Sequence, residues 1–300
     1  MFTLKTSLII PTKDRPNKII RLLKKLSINK IKFNEILVID SSKKFYSKKI
    51  KSFCEKKKYK YFYSKPSTSL QRNIGLKKSK LNKFIMFMDD DVILFKDTFR
   101  NMNNCIEKNK NDTSIAAFGF NQIENVKENF FEKIKKVRLI ELLNIYPSTP
   151  GSVSQSGWHS KIINLKKDVF GEWIFTTICI YKKKDIGGLK FDKTFGKYSY
   201  LEDLDFSLNL KKKNKRIFIS SKAKFRHPEN IDRSGFNFGK IEVLNRFKIV
   251  TKHKLSKKLF FIGSILRLMI SMVKSLTFNI KYLLRAIGNI FGFFILLFKL

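Results

Sequence analysis

The sequence predicts an α/β fold, a mixed sheet flanked by helices, followed by a C-terminal amphipathic helical segment. Three features predict it: short apolar, partly β-branched runs, helix-spaced segments between them, and polar residues directly after each run. Residues 8–10 (LII), 35–40 (EILVID) and 83–88 (KFIMFM) read as strands buried on both faces of a parallel sheet. Residues 59–63 give a weaker strand. Between them, residues 17–27 place Ile19, Ile20, Leu22, Leu23 and Leu26 at helical spacing, and residues 69–80 do so with Leu70, Ile74 and Leu76. Such alternation builds right-handed βαβ units, which bind ligands beyond the carboxyl ends of their strands. The residues at those ends are Pro11 to Arg15, Asp40 to Ser42, and Asp89 to Asp91.

The middle of the chain is less regular. Residues 146–160 (YPSTPGSVSQSGWHS) are rich in Ser, Gly and Pro and read as a long loop of the kind that serves as a lid. A strand over 174–181, a helix over 204–213 and a strand over 216–220 follow.

Lys and Arg number 63 against 24 Asp and Glu, a formal charge of +39. Such a field attracts nucleic acid, anionic lipid and phosphorylated substrates alike. Only four Ala accompany the abundant Lys, Asn, Ile and Phe, a composition that AT-rich coding also produces, so charge alone selects no partner. Cys54, Cys105 and Cys179 are far apart and lack C-x-x-C spacing, which suggests a reducing compartment. The first residues lead straight into a strand without a signal-peptide pattern, so the catalytic part is expected in the cytoplasm.

Three consecutive carboxylates after an apolar strand repel one another, and a divalent cation is a natural compensation. Oxygen ligands suit Mg²⁺ or Mn²⁺, which would neutralise a diphosphate; a helix-capping turn is the competing explanation. Residues 200–206 (YLEDLDF) again set acids at a helix start, where capping explains them and where one carboxylate could act as a general base. His227, in FRHPE, could complete a metal site through a ring nitrogen or be structural. Trp158, inside the Ser/Gly-rich loop, is a candidate for stacking on an acceptor sugar, whereas Trp173 reads as core.

Five motifs in order, SLIIPT (7–12) with Arg15, EILVID (35–40), QRNIGL (71–76), FMDDDV (87–92), and FD (191–192) through EDLD (202–205), resemble family-2 glycosyltransferases of the GT-A fold. The resemblance implies a nucleotide-sugar donor, whether UDP-, GDP- or dTDP-linked, with Mg²⁺ or Mn²⁺ as cofactor. It implies Pro11, Thr12, Arg15 and Asp40 as base and ribose contacts, with Arg72 also on the nucleotide side. It makes Asp89, Asp90 and Asp91 the Asp-x-Asp motif, with Asp91 on the metal and Asp89 on the ribose or shared with the metal. Asp203, beside Glu202, matches the base of an inverting single displacement. Residues 196–201 (GKYSYL) replace a stretch often glycine-rich in relatives, and Asn209 stands where many have Arg; both departures bear on acceptor choice. A sugar-phosphate nucleotidyltransferase would usually carry a glycine-rich loop after the first strand, and residues 11–16 contain no Gly. A nucleic-acid-binding protein would have no use for the Asp triplet. An inactive scaffold would lack an acidic motif, and both are present.

Composition changes after residue 242, so the expected domains are 1–242 and 243–300. The second contains no Asp or Glu and 11 Lys or Arg among long apolar runs. Its longest uncharged run, residues 286–298, is 13 residues, short of the roughly 20 a spanning helix needs. On a single helix Arg267, Lys274, Lys281, Arg285 and Lys299 fall within about 40° of one another, with Gly263 and Gly292 in the same stripe. This predicts an interfacial helix whose basic stripe meets anionic headgroups. The alternative is a helix pair packed on the catalytic domain or on a second copy of the chain. The expected partners are therefore the donor, a glycan or lipid-linked acceptor such as a lipopolysaccharide precursor, and an anionic membrane surface, with no specific nucleic acid. The expected location is the cytoplasmic face of the inner membrane, peripheral or monotopic.

Overall fold

A computed structural model of the chain describes residues 4–29, 31–80, 82–125, 138–196, 199–228, 235–276 and 280–298. The chain forms two units, Met1–Glu124 with Ile162–Pro228, and Asn125–Lys161 with Glu229–Leu300.

The first unit is built on one mixed sheet. Strands β1 (Thr6–Thr12), β2 (Glu35–Asp40), β3 (Lys60–Tyr63) and β4 (Phe84–Met88) lie parallel in the order β3-β2-β1-β4. Beyond them come β5 (Ile93–Leu94), β6 (Ile115–Gln122), β7 (Val169–Gly171), β8 (Ile178–Lys182) and β9 (Arg216–Arg226). The sheet continues from β4 as β8-β6-β9-β5, with β8 antiparallel to both neighbours and β7 paired to β9. Because β1 lies between β2 and β4, the chain reverses direction across the sheet there, the switch point at which open α/β sheets bind ligands.

Helix α1 (Pro16–Ile28) opens on Pro16, whose fixed φ suits a first turn, and buries Ile19, Leu22, Leu23 and Leu26. Helices α2 (Lys44–Lys56) and α4 (Thr98–Lys108) share the core that α1 forms with Leu8, Ile10, Val38, Met86 and Met88. Helix α3 (Thr68–Lys78) packs so closely on β1 that a Cβ on Gly75 would collide with Ile9. Helix α6 (Glu202–Lys212) carries the second acidic motif. The sequence reading contained neither α2, α4 nor β6. α2 buries only Ile50 and Cys54, too few to show a period, and β6 contains Gly119, which weakens a strand pattern but fits beneath Ile174 and Ile219.

The second unit contains α5 (Arg138–Leu142), α7 (Gly235–Lys252), α8 (Lys257–Ser275) and α9 (Ile280–Leu297). The boundary expected at 242 falls in the middle of α7. Glu242 is the last acid of the sequence, and it is the counter-ion of the helices that follow. Arg285 binds it through Nη2 at 2.7 Å and Nε at 3.2 Å, and Arg267 Nε lies 3.8 Å away. Burial would raise the Glu242 carboxyl, but Arg285, Arg267 and Arg246 hold it down to about 2.

Two cations of the expected basic stripe, Arg267 and Arg285, therefore turn inward to Glu242. Arg285, Gly263 and Gly292 are buried and Arg267 is nearly so, while Lys274 is half-buried, Lys281 is exposed and Lys299 lies outside the described residues. Backbones touch where α9 crosses α7: a Cβ on Gly239 would strike the Arg285 carbonyl, and one on Gly288 the Phe236 carbonyl. Asn289 Nδ2 donates to the Gly239 carbonyl at 2.9 Å. By length and composition α9, with mean hydropathy 1.6 over 18 residues, could cross a membrane, contrary to the expectation from its uncharged run. Residues 146–160 are also tightly packed rather than an open loop. Ser154 Oγ donates to the Ile145 carbonyl at 3.0 Å, and Val153 pairs with His159. Trp158 is 7% exposed, edge-on to Tyr146 at 5.1 Å and covered by Arg246 at 3.7 Å, so its ring is not an open stacking surface.

Gly75→Ala should destabilise the first unit by about 1–3 kcal/mol, the usual cost of overpacking, read as a lower urea midpoint. Glu242 has its carboxyl lowered on folding, so its contribution is present above the unfolded value near 4.5 and is lost as pH falls from there towards 2. Urea midpoints measured across that window should fall more steeply for the wild type than for Glu242→Gln.

Candidate active site

The carboxyl ends of β1, β2 and β4 bring together Thr12, Asp40 and the Asp89 to Asp91 triplet, as the strand alternation predicts. The β1–α1 loop turns at Asp14, whose φ of 54° is left-handed, a region that Asp tolerates better than most residues. Arg15 at its end and Lys18 in the first turn of α1 then face the triplet.

Each Asp of the triplet has a different partner. Asp89 Oδ1 lies 3.3 Å from Arg72 Nη2, and its side chain is 25% exposed. Asp90 is buried; it accepts from Thr12 Oγ1 at 2.5 Å and lies 3.2 Å from Arg15 Nη2. Burial raises the Asp90 carboxyl to about 7, against the pull of Arg15 and Thr12. Asp91 meets Arg15 Nη1 at 2.8 Å, Lys18 Nζ at 3.3 Å and His227 Nε2 at 3.0 Å. Burial opposes the Asp91 charge, but the bond to His227 and the cations around it hold the carboxyl well below the usual range. His227 is disfavoured as a cation by burial and raised nonetheless by Asp91 and Asp89.

Asp91 and His227, from the ends of β4 and β9, thus form a paired oxygen and nitrogen donor set, with Arg15 and Lys18 also on Asp91. Among the described residues no group of three or more His, Cys, Asp or Glu side chains converges on one point. Two protein ligands fit Mg²⁺ or Mn²⁺, which complete their shells with water and substrate phosphate. Asp89 is turned to Arg72 and is not part of that pair.

Several residues expected to touch the nucleotide are inside the protein. Pro11 is buried within β1 opposite Ile39. Asp40 is fully buried: Oδ1 accepts from the Ser42 amide at 2.9 Å and Ser42 Oγ at 2.5 Å, and Oδ2 from Ser47 Oγ at 2.7 Å and Tyr61 at 2.8 Å. Ser42 Oγ in turn accepts from the Asp14 amide at 2.6 Å, which joins the β2 and β1 loops. Gln71, to which no role was assigned from sequence, donates to the carbonyls of Thr12 at 2.9 Å and Ile39 at 2.7 Å and ties the two strand ends together. Its signal was its place one residue before Arg72 in the third motif.

Arg72 is buried between two acids, bonded to Glu202 and to Asp89. Burial works against its charge, and Glu202, Asp89 and Asp203 more than restore it. Glu202 also accepts from Ser69, and burial pushes it up to about 7 despite Arg72. Glu202 is therefore ion-paired to Arg72 and hydrogen-bonded by Ser69. Asp203, one residue on, is half-buried. It sits in the first turn of α6, where the helix dipole favours negative charge. Ser199 and Leu201, just before this turn, have φ of 52° and 73°, strain of the kind that collects at functional sites. Trp173 is core, packed on Phe175 at 4.7 Å, and Trp158 belongs to the other unit.

A reversed sheet with an acidic triplet at its switch point and a carboxylate on a helix start is the arrangement of the GT-A fold. The model of glycosyl transferase family 2 matches residues 7–161, and the chain belongs to that family. An uncharacterised glycosyltransferase of Rickettsia felis is 30% identical over 202 residues, 64% of this chain and 32% of that protein, so the chain spans about a third of that relative's length. Among solved structures, a mannosyltransferase of Pyrobaculum calidifontis in complex with GDP-Man and Mn²⁺ matches 96% of this chain and 87% of its own, at 11% identity and a TM-score of 0.54. GalNAc-T7 with UDP, GalNAc and Mn²⁺ matches 92% of this chain and 58% of its own, at 12% identity and a TM-score of 0.54. At such identities the likeness is one of fold.

Removing one partner of a buried pair strands the other, at about 3–5 kcal/mol. Glu202→Gln should therefore lower unfolding free energy by about that much, while Asp203→Asn stays within ~1 kcal/mol of wild type, both read by urea denaturation.

Proposed function

We propose that the protein is a metal-dependent, inverting glycosyltransferase that moves a sugar from a nucleotide-diphosphate donor to a membrane-associated glycan or lipid-linked acceptor in cell-surface polysaccharide synthesis. The observation that carries this reading is the place of Asp203, half-buried in the first turn of α6 and next to Glu202, which is ion-paired to Arg72. The solved relatives bound to GDP-Man with Mn²⁺ and to UDP with Mn²⁺ support a nucleotide-sugar donor and a divalent cation. The absence of any acid from residues 243–300 supports work at the cytoplasmic face of an anionic membrane.

In this reading Asp91 and His227 would hold the cation, which would offset charge on the departing diphosphate. Arg15 and Lys18 stand beside Asp91 and add positive charge at the same edge. Thr12 and Asp90 keep the ends of β1 and β4 in register, and Arg72 keeps Asp89 and α6 at fixed positions. Asp203 accepts the proton of the acceptor hydroxyl as its oxygen attacks the anomeric carbon and the sugar-to-phosphate bond breaks.

The test is a binding and turnover screen of UDP-, GDP- and dTDP-sugars with Mg²⁺ or Mn²⁺. Asp91→Ala should abolish metal-dependent donor binding, and Asp203→Asn should retain donor binding while turnover drops by about 10²–10⁴-fold. Equal loss of binding in both variants would place Asp203 among the donor contacts instead.

A further inference from the structure

Helices α8 and α9 pack against each other, and each turns one apolar face outward. On α8 and its C-cap the exposed side chains include Ile262, Ile265, Met269, Met272 and Leu276, and on α9 Leu283, Ile287, Phe291 and Phe294. Their steps of three and four residues are those of a single helical face. An outward apolar surface of this extent marks an interaction site. Exposed charge on these helices sits only at their starts, on Lys257 and Lys258 of α8 and Lys281 of α9, and all of it is positive. Apolar side chains fringed by cations and free of acids match an anionic lipid leaflet.

The opposite face of α9 decides how deep it goes. Arg285 is ion-paired to the buried Glu242 of α7, Asn289 is bonded to the Gly239 carbonyl, and Gly239 and Gly288 let the two backbones meet. To cross a bilayer, α9 would have to leave α7 and strand a buried carboxylate and a buried guanidinium, or carry into hydrocarbon a helix that holds Lys240, Arg246, Lys248 and Lys252. We propose that α8 and α9 together form an in-plane docking face that seats the protein on an anionic leaflet without crossing it. This deepens the membrane-associated reading above and rests on it, but not on the transfer chemistry.

The full chain is mixed with phosphatidylcholine vesicles with and without phosphatidylglycerol. Flotation should require the anionic lipid, and the double variant Ile265→Asp/Ile287→Asp should lose it while its thermal melt and donor binding stay as in wild type. Topology is read on vesicle-bound Lys281→Cys and Lys299→Cys with a membrane-impermeant maleimide added outside, the three native cysteines being buried. Labelling of both positions is expected; labelling of Lys281→Cys alone would mean that α9 spans and would overturn the proposal. Unchanged flotation of the double variant, accompanied by loss of self-association, would assign the face to a second copy and overturn it as well. Failure of donor binding with flotation intact would strike the transferase reading and leave the docking face standing.

Discussion

Three like charges in a row at the end of β4 set the terms for everything around them. In the structure the repulsion is relieved by giving each carboxylate its own partner, taken from a different element: Arg72 of α3 for Asp89, Thr12 of β1 for Asp90, and His227 after β9 for Asp91. Arg72 is held in turn by Glu202 of α6, and Arg15 and Lys18 join His227 on Asp91 from the start of α1. The triplet thus draws four helices and strands to one edge of the sheet, and the candidate base on α6 takes its place through a chain of two ion pairs.

The first four strands, the helices at 16–28 and 68–78, and all the acidic motifs were legible because they follow period and strand-end rules. What could not be read was which carboxylates would be presented and which consumed. Nothing next to Asp40, Asp90, Asp91 or Glu202 in the sequence announces that Tyr61, Thr12, His227 and Arg72 reach them from 21, 78, 136 and 130 residues away. Burial by distant partners leaves no local trace. The same holds for α2, whose exposed lysines mask a helix that buries only two side chains.

The C-terminal helices show a related limit. Their composition announces a change of surroundings, yet the wheel of one helix cannot say which face looks outward. Treated alone, Arg267 and Arg285 form a cationic stripe; in the fold they turn inward because Glu242, one residue before the compositional change, waits for them. Charge pattern is readable as an orientation only when the counter-ions on neighbouring elements are known.

The four donors gathered on Asp40 have a thermodynamic corollary. With Ser42, Ser47 and Tyr61 already in place, and Asp14 drawn in through Ser42, the β1 and β2 loops have surrendered their rotamer freedom during folding rather than at the arrival of a ligand. A mould set in advance spares the complex the ordering entropy that a floppy loop would forfeit on closing, so a modest set of direct contacts at this edge can yield useful affinity.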